Sequence, residues 1–397
     1  MGVEQTKRLY FIDAMRAWAI LMMLQGHFID GLLDPAFRDP ENPVFATWKY
    51  FRGITAPVFF TVSGFIFTFL LIRVPRQGLE NPRIRKGVNR GLQLLAIGYL
   101  LRTNFLGLLK GVIYPSFYLV DVLHCIGLAL LLIIGIYLIS ERFGKNALPL
   151  LLLLTGVGLF LFEPVYKTWD YSAWPQLLAN YFTKANGSVF TVVPWVGYAA
   201  IGGFLATTFH RFREARHLYL KSIGFTLLAG ALLLWQSSPF FSWLGQQTGI
   251  QLFADIVSNN YLFIRLGDVM LVFSVFIMLR SLMNQPMFLR IGQNTLSIYV
   301  IHFIILYGSF TGMGLYRFLH HSLAPAIAIP GALLFMITCT WLALQYEKRE
   351  ENLKQALRAG VDWLRYNLAS GGQALWRQAR IQWFRLTRLL GSAQGRP

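Results

Sequence analysis

The first apolar segment of the chain, residues 10–33, carries four ionisable side chains: Asp13, Arg16, His27 and Asp30. A segment of this length can cross a bilayer as an α-helix. Ionisable groups inside such a helix are costly unless they face protein, water or a ligand, so each is a candidate functional residue. Ten residues separate Arg16 from His27, which at about 100° per residue places both on nearly one face. We therefore expect this helix to line a passage through the membrane.

His27 is the candidate general base. A histidine that titrates near neutrality can take a proton from a hydroxyl or an amine. A neighbouring carboxylate such as that of Asp30 would orient the ring and stabilise the imidazolium, provided the two side chains meet. The alternative is a core histidine with satisfied hydrogen bonds, and composition alone weighs the two equally.

A basic cluster of Arg83, Arg85, Lys86 and Arg90 opens the third apolar span. Guanidinium groups match phosphate oxygens, so this cluster suits a phosphorylated ligand that approaches from the cytoplasm. Cytoplasmic loops have the same composition without any ligand. For Arg90, snorkelling to the membrane interface is an equal alternative.

Other ionisable residues lie within later apolar spans. Arg90 and Arg102 lie in the third span and Asp121 and His124 in the fourth, so we expect these helices to line the interior of the bundle. Arg265 and Asp268 stand three residues apart, where they can pair on one helix face. That pair has either a structural role or a part in substrate binding.

The composition defines the class of protein. The chain has 397 residues, of which 55% are hydrophobic and only 14% are charged, and this indicates an all-α polytopic membrane protein. The net charge of +18 comes from short loops and the C-terminal tail, so nucleic-acid binding is not expected. Cys125 and Cys339 are too few for a disulfide framework, and we expect no metal site. The first apolar segment is too long and too charged for a cleavable signal peptide.

Hydropathy predicts about ten transmembrane helices. Six basic residues between positions 73 and 90 identify the loop after the second span as cytoplasmic. The other basic loops and both termini then fall on the same side, and the longer alternate loops on the outer side. The predicted spans are 10–33, 53–74, 88–109, 117–140, 147–166, 188–209, 217–236, 261–283, 293–313 and 324–346.

We divide the chain into a transmembrane domain, residues 1–346, and a basic cytoplasmic tail, residues 347–397. After a predicted break at residues 371–372, residues 373–390 place apolar side chains along one side of a helix and basic side chains away from it. This pattern is typical of an amphipathic helix that lies on the membrane surface and contacts lipids. Docking to a partner protein would give the same pattern.

Several motifs resemble the acyltransferase-3 family of membrane acyltransferases. Arg16 and His27 reproduce its Arg-x10-His motif, and residues 59–65 are similar to its Phe-Phe-x-x-Ser-Gly-Phe motif. Lys86-x3-Arg90 resembles the basic motif of the third helix, although lysine replaces an expected arginine. Residues 289–302 resemble the late Gly-x-x-Ser-x-x-Ile-Tyr-x-x-His helix.

Two further features refine this resemblance, which runs over residues 8–346. Residues 55–60 and 121–127 resemble the branch of heparan-α-glucosaminide N-acetyltransferase. Ala17 departs from the family pattern, because a glycine usually follows the motif arginine.

The resemblance implies an enzyme of the bacterial cytoplasmic membrane that transfers an acyl group, usually acetyl. The donor is cytoplasmic acyl-CoA as co-substrate, and the acceptor is a sugar, glycan or glycolipid on the outer side. We expect the acceptor on the aromatic loops 34–52, 167–187 and 237–260. His27 would either deprotonate the acceptor directly or carry the acyl group itself. Either Ser63 or helix amides would stabilise the oxyanion, and His302 would contact the acceptor or support packing. The candidate roles are catalysis for His27 and Asp30, acyl-CoA binding for Arg16, Ser63, Arg85, Lys86 and Arg90, and acceptor binding for Arg265, Asp268 and His302.

Two other functions fit the same composition. A polar stripe through a helix bundle also describes a transporter, although paired repeats with broken helices are not evident. An accessory subunit of a membrane complex, built on an acyltransferase-like scaffold and held by its tail, is the other alternative.

Overall fold

The computed structural model describes residues 9–144 and 146–392, with the backbone alone for residues 356–358, 361 and 364–392. This described part of the chain is helical and contains no β-strand. The α-helices are α1 Tyr10–Leu32, α2 Pro43–Ile72, α3 Pro82–Arg102, α4 Phe105–Leu109, α5 Val122–Ser140, α6 Ala147–Leu161, α7 Glu163–Lys167, α8 Gln176–Ala179, α9 Val192–Arg211, α10 Leu218–Thr248, α11 Gln251–Ser258, α12 Tyr261–Met278, α13 Pro286–Gln293, α14 Thr295–Tyr307, α15 Leu315–Leu319 and α16 Pro325–Ser392.

All ten stretches predicted as spans contain helix, but they are not equally suited to cross a membrane. Six described helical segments are long and apolar enough by length and composition: Pro43–Ile72, Pro115–Ser140, Val192–Arg211, Leu218–Thr248, Tyr261–Ser281 and Pro325–Gln355. A seventh candidate is the pair α13 and α14, which is bent by 70°. Helix α6 is apolar but has only 15 residues. Helices α1 and α3 have 23 and 21 residues but carry more polar side chains.

Proline and asparagine define where two of the long helices begin. Asn42 and Asn81 accept hydrogen bonds from the backbone N–H groups of Val44 and Arg83. A proline follows each asparagine at the first helical position, where the missing N–H costs nothing. The starts of α2 and α3 are therefore encoded locally.

The long helices alternate in direction, so the connecting segments gather at two ends. At the end where α1 begins, Glu141 accepts a hydrogen bond from the Gly78 N–H and Arg211 donates to Asn146. At the other end, the Phe105 N–H donates to the Phe310 carbonyl over 2.9 Å. We call these the basic end and the far end. Basic residues in or beside the basic-end connections include Arg73, Arg76, Arg83, Arg85, Lys86, Arg142, Arg211, Arg213, Arg216, Lys221, Arg280 and Arg290. That this end faces the cytoplasm stays a prediction.

Glycines allow two pairs of helices to approach at backbone distance. A Cβ at Gly64 of α2 would overlap the Ala199 carbonyl of α9, and one at Gly202 would overlap the Thr61 carbonyl. A Cβ at Gly292 of α13 would likewise overlap the Asp13 carbonyl of α1. Any side chain at Gly292 would push α13 away from the start of α1, so this contact fixes where α14 begins.

A second compact unit begins at Leu344. The helix continues to Ser392, and Lys354 pairs with Glu350 over 2.8 Å. The predicted break at residues 371–372 is wrong, because the backbone there is helical. The side chains of residues 373–390, predicted to form an amphipathic surface, lie outside the described residues.

Candidate functional site

A cavity of about 570 Å³ lies at the far end, between α1, α3, α5, α14 and their connecting segments. Its walls combine charged groups with aromatic rings. The charged and titratable lining residues are His27, Asp30, Arg52, Arg102 and Asp121, and the aromatic lining residues are Phe190, Tyr299, Phe303, Tyr307, Phe310 and Tyr316. Mostly apolar walls with a few convergent polar groups are typical of small-molecule sites.

His27 meets His302 of α14 across the bundle. Nδ1 of His27 lies 3.1 Å from Nε2 of His302, and the ring centroids are 5.2 Å apart. His27 lines the cavity, whereas His302 is fully buried with the Tyr299 ring 4.8 Å away. The structure therefore places His302 behind His27 as its support. Of the two roles predicted for His302, acceptor contact and support of packing, this position favours the second, because its buried side chain is not among those that line the cavity.

Asp30 pairs with Arg52 of α2 and not with His27. The hypothesis that Asp30 orients the His27 ring is therefore corrected, because His302 occupies Nδ1 of that ring. The backbone carbonyl of Asp30 also accepts a hydrogen bond of 2.9 Å from Arg38. These contacts hold a half-exposed ion pair at the rim of the cavity.

A second ion pair forms the opposite wall of the cavity. Nε of Arg102 donates to Oδ2 of Asp121 over 3.0 Å, and the two side chains are only 13% and 8% exposed. Asp121 also caps α5, where its own N–H donates to Nδ1 of His124 over 3.2 Å. The prediction that Arg102 and Asp121 face the interior is confirmed. Arg90 differs, because it is exposed.

Arg16 connects the start of α1 to the start of α14. Nη2 of Arg16 donates to the hydroxyl of Thr295 over 2.9 Å, and Nη1 lies 3.9 Å from Asp13. Helix α14 thus contacts both Arg16 and His27. The close approach at Gly292 positions Thr295 for this contact, because Gly292 is three residues before it on the other side of the bend.

The remaining predicted donor-binding residues lie elsewhere. Arg85, Lys86 and Arg90 are exposed on α3 at the basic end, and Arg90 donates to Gln93 over 3.0 Å. This position leaves Arg90 open both to snorkelling and to a ligand. The hydroxyl of Ser63 donates to the carbonyl of Phe59 over 2.7 Å within its own helix.

Arg265 and Asp268 pair with each other over 3.0 Å, as their spacing predicts. The Tyr50 hydroxyl donates to Asp268 over 2.5 Å, and the Arg265 guanidinium lies 4.8 Å from the Tyr50 ring centroid. Asp268 is only 3% exposed. The pair joins α12 to α2 outside the lining of the far-end cavity, which favours the structural alternative.

The family model of the acyltransferase-3 family, an acyltransferase domain, matches residues 9–345. The chain belongs to the acyltransferase-3 family. Together with six apolar helices of membrane-spanning length, membership of this family supports a membrane acyltransferase. A comparison with curated proteins finds no match.

The acyltransferase-3 domain contains the whole cavity, including residues that the sequence did not single out. Arg52 lies at the boundary of a predicted span, where a charge normally indicates only the membrane interface. The aromatic lining comes from Phe190 and from residues 299–316, and not mainly from the loops predicted to hold the acceptor. Among the described residues, no group of three His, Cys, Asp or Glu side chains is placed to hold a metal ion.

Proposed function

We propose that this protein transfers a short acyl group, acetyl in the simplest case, from acyl-CoA to a sugar or glycan in the far-end cavity. The observation that carries the proposal is the contact between His27, which lines that cavity, and the buried His302. A nucleophile activated by a base that a third group orients is the general arrangement of acyl-transfer sites. In this proposal the enzyme lies in the bacterial cytoplasmic membrane with its basic end inside.

The proposed base role of His27, together with its contact with His302, requires one tautomer of each ring. A neutral imidazole has one nitrogen that donates and one that accepts. For His27 to act as a base through Nε2, its Nδ1 must carry the proton and donate to Nε2 of His302, which lies 3.1 Å away. His302 then carries its own proton on Nδ1. His302 is thus a positioning residue, and the acceptor meets His27.

The reaction follows from that tautomer. An acceptor hydroxyl or amine loses a proton to Nε2 of His27 while its oxygen or nitrogen attacks the thioester carbonyl carbon. The C–S bond then breaks, and the CoA thiolate takes the proton from the His27 imidazolium. The products are the acylated acceptor and free CoA, and His27 returns to its starting state.

Arg52 is the candidate for stabilising the negative charge that develops on the thioester oxygen. It lines the far-end cavity and also a small adjoining pouch of about 80 Å³ lined by Met23, Thr55, Phe59 and His27. The pouch has room for a short acyl group. A guanidinium already held by Asp30 needs little reorganisation when charge develops, which is the condition for effective electrostatic catalysis.

The donor would bind from the basic end. Lys86 and Arg90, helped by Arg85 and Arg16, would hold the CoA phosphates. Arg16 and His27 are eleven residues apart on one helix, which corresponds to roughly 16 Å along its axis. The charged part of CoA can therefore stay at the basic end while its flexible arm carries the thioester to His27.

The acceptor would bind among the aromatic rings of the cavity. The four fully charged groups that line the cavity form two ion pairs, Asp30 with Arg52 and Asp121 with Arg102. A cavity whose charges cancel and whose walls are aromatic suits a neutral polar ring better than an anion. A neutral sugar fits that description.

The test is transfer of radiolabelled acetyl from acetyl-CoA to neutral mono- and disaccharides by the purified protein in nanodiscs. We expect His27→Gln to lower turnover at least about 100-fold, the usual contribution of a general base, while acetyl-CoA still binds. His302→Gln should lower kcat without raising KM for acetyl-CoA, because it acts through His27. His210→Gln is the matched control, since His210 lies in α9 at the basic end.

Two results would refute the proposal. One is a folded wild-type protein that neither binds nor hydrolyses acetyl-CoA, which would favour the accessory-subunit alternative. The other is a His27→Gln variant with the turnover of the wild type.

A further inference from the structure

A separate cavity of about 280 Å³ lies at the basic end, between α9, α10 and α12. Phe11, Phe65 and Phe209 form its inner wall, with ring centroids 6.0 to 6.5 Å apart. Phe212 and Phe225 also line it and are 53% and 47% exposed. The cavity therefore opens to the outside of the bundle.

The cavity exists because α9 and α10 diverge. They are consecutive helices joined by residues 212–217, yet α10 packs mainly on α11 and α12. His217, the residue before α10, has a left-handed backbone with φ of 60°. The turn sets α10 apart from α9, and the gap between them stays unfilled by side chains.

The interior of this cavity favours hydrocarbon over water. Since one water occupies about 30 Å³ in the liquid, the cavity of about 280 Å³ has room for roughly nine water-sized groups. The hydroxyls of Ser222 and Thr226 already donate to carbonyls one turn earlier in α10. Water in the cavity would find few polar partners, whereas an acyl chain would fill it.

The mouth of the cavity is positively charged. Lys221 lines it and is exposed. Residues 211–221 contain three arginines and one lysine against one acidic residue, Glu214. Arg213 lies 3.3 Å from Glu214. The surplus of positive charge stands beside the opening at the end of the membrane-spanning helices, where lipid phosphates would lie.

We propose that this cavity binds one anionic phospholipid, with an acyl chain between α9 and α10 and its phosphate at Lys221 and the 211–216 arginines. The apolar interior requires a chain, so a free phosphate is excluded as the ligand. The charge at the mouth favours an anionic over a zwitterionic headgroup. The site does not include His27 or the far-end cavity, so it stands apart from acyl transfer.

The experiment uses the full-length protein in nanodiscs of equal parts phosphatidylglycerol and phosphatidylcholine, followed by native mass spectrometry of the retained lipid. The wild type should retain one phosphatidylglycerol. Lys221→Glu reverses one charge and should lower its retention at least about fivefold, the factor that loss of a single positive charge would already give. Ser222→Phe should lower it by filling the cavity without a change of charge. Arg76→Glu is the charge-matched control at the same end and should retain the lipid.

Retention of phosphatidylcholine as strong as that of phosphatidylglycerol would overturn the proposal, as would equal retention by all variants. Glycerol phosphate that displaces the lipid at equal concentration would show that the headgroup alone binds. Palmitoyl-CoA that displaces it at equal concentration would assign the cavity to a CoA ester. Each of these two displacements also overturns the proposal. Helicity and elution volume of every variant exclude misfolding as the cause of lost lipid.

Discussion

Asp121 both pairs with Arg102 and caps α5. The substitution Asp121→Asn removes the ion pair and keeps the cap. The two side chains are 8% and 13% exposed, and their atoms lie 3.0 Å apart. Removal of one partner from a buried pair costs about 3–5 kcal/mol, because the other charge stays buried without compensation. Asparagine caps helices as well as aspartate does, so α5 keeps its N-cap. We expect the free energy of unfolding to fall by about 3 kcal/mol, the low end, because cavity water reaches both groups.

Unfolding by sodium dodecyl sulphate in mixed micelles, followed by helicity, measures this change. Asp121→Ala should cost about 1 kcal/mol more, because the cap is also lost. The double variant Asp121→Asn/Arg102→Met should recover most of the loss. Glu163→Gln is the exposed-pair control and should change stability by less than about 1 kcal/mol, since Lys167, its partner at 3.3 Å, is 58% exposed. An Asp121→Asn effect no larger than that of Glu163→Gln would refute the reasoning.

Three further outcomes can be measured. Gly292→Val should destabilise the bundle by about 3 kcal/mol or more in the same unfolding assay, because overpacking here forces α13 away from α1; a neutral result would contradict the close approach. Thr295→Val removes one of the hydrogen-bond acceptors of Arg16 and should cost about 1–3 kcal/mol, whereas Thr295→Ser should be nearly neutral. Lys86→Ala/Arg90→Ala should raise KM for acetyl-CoA with little change in kcat in the transfer assay, and an unchanged KM would remove these residues from the donor site.

Some of the site could be predicted because apolar spans leave few places for a charge. Arg102 and Asp121 were expected in the interior and line the cavity, since either group would be costly against lipid. The pairing of Arg265 with Asp268 followed from their spacing on one helix. In both cases the prediction depends only on residues within one segment of the chain: the cost of a charge in an apolar span, or the spacing of two charges on one helix.

The partner of His27 could not be predicted in the same way. His302 lies 275 residues away in the chain, and its contact depends on how α14 rotates against α1. Periodicity gives the face of each helix but not which faces meet. Asp30 was the nearer candidate in sequence, but Arg52 from the next helix pairs with it.

The chain bends at one place where the sequence predicts a continuous helix, and it is helical at another where the sequence predicts a break. The stretch that resembles one late helix, residues 289–302, bends at Asn294, between α13 and α14, where Gly292 packs against α1. The expected interruption at residues 371–372 is absent. Two glycines lower helix propensity by about 1 kcal/mol each, and the strong helix formers around them compensate. The contact of Gly292 with α1 accompanies the bend between α13 and α14. The low helix propensity of the glycines at residues 371–372 does not break α16.

The unbroken course of α1 makes that helix a rigid spacer. Arg16 and His27 are fixed to one 23-residue helix, and α14 braces both through Thr295 and His302. If anion capture and acyl transfer occur at these two positions, a donor must hold its phosphate and its acyl carbon roughly 16 Å apart. Acetyl phosphate, whose anion adjoins its acyl group, is too short to engage both ends at once. The length of α1 between Arg16 and His27 would then discriminate between donors by the distance from phosphate to acyl carbon, independently of the shape of the binding cavity.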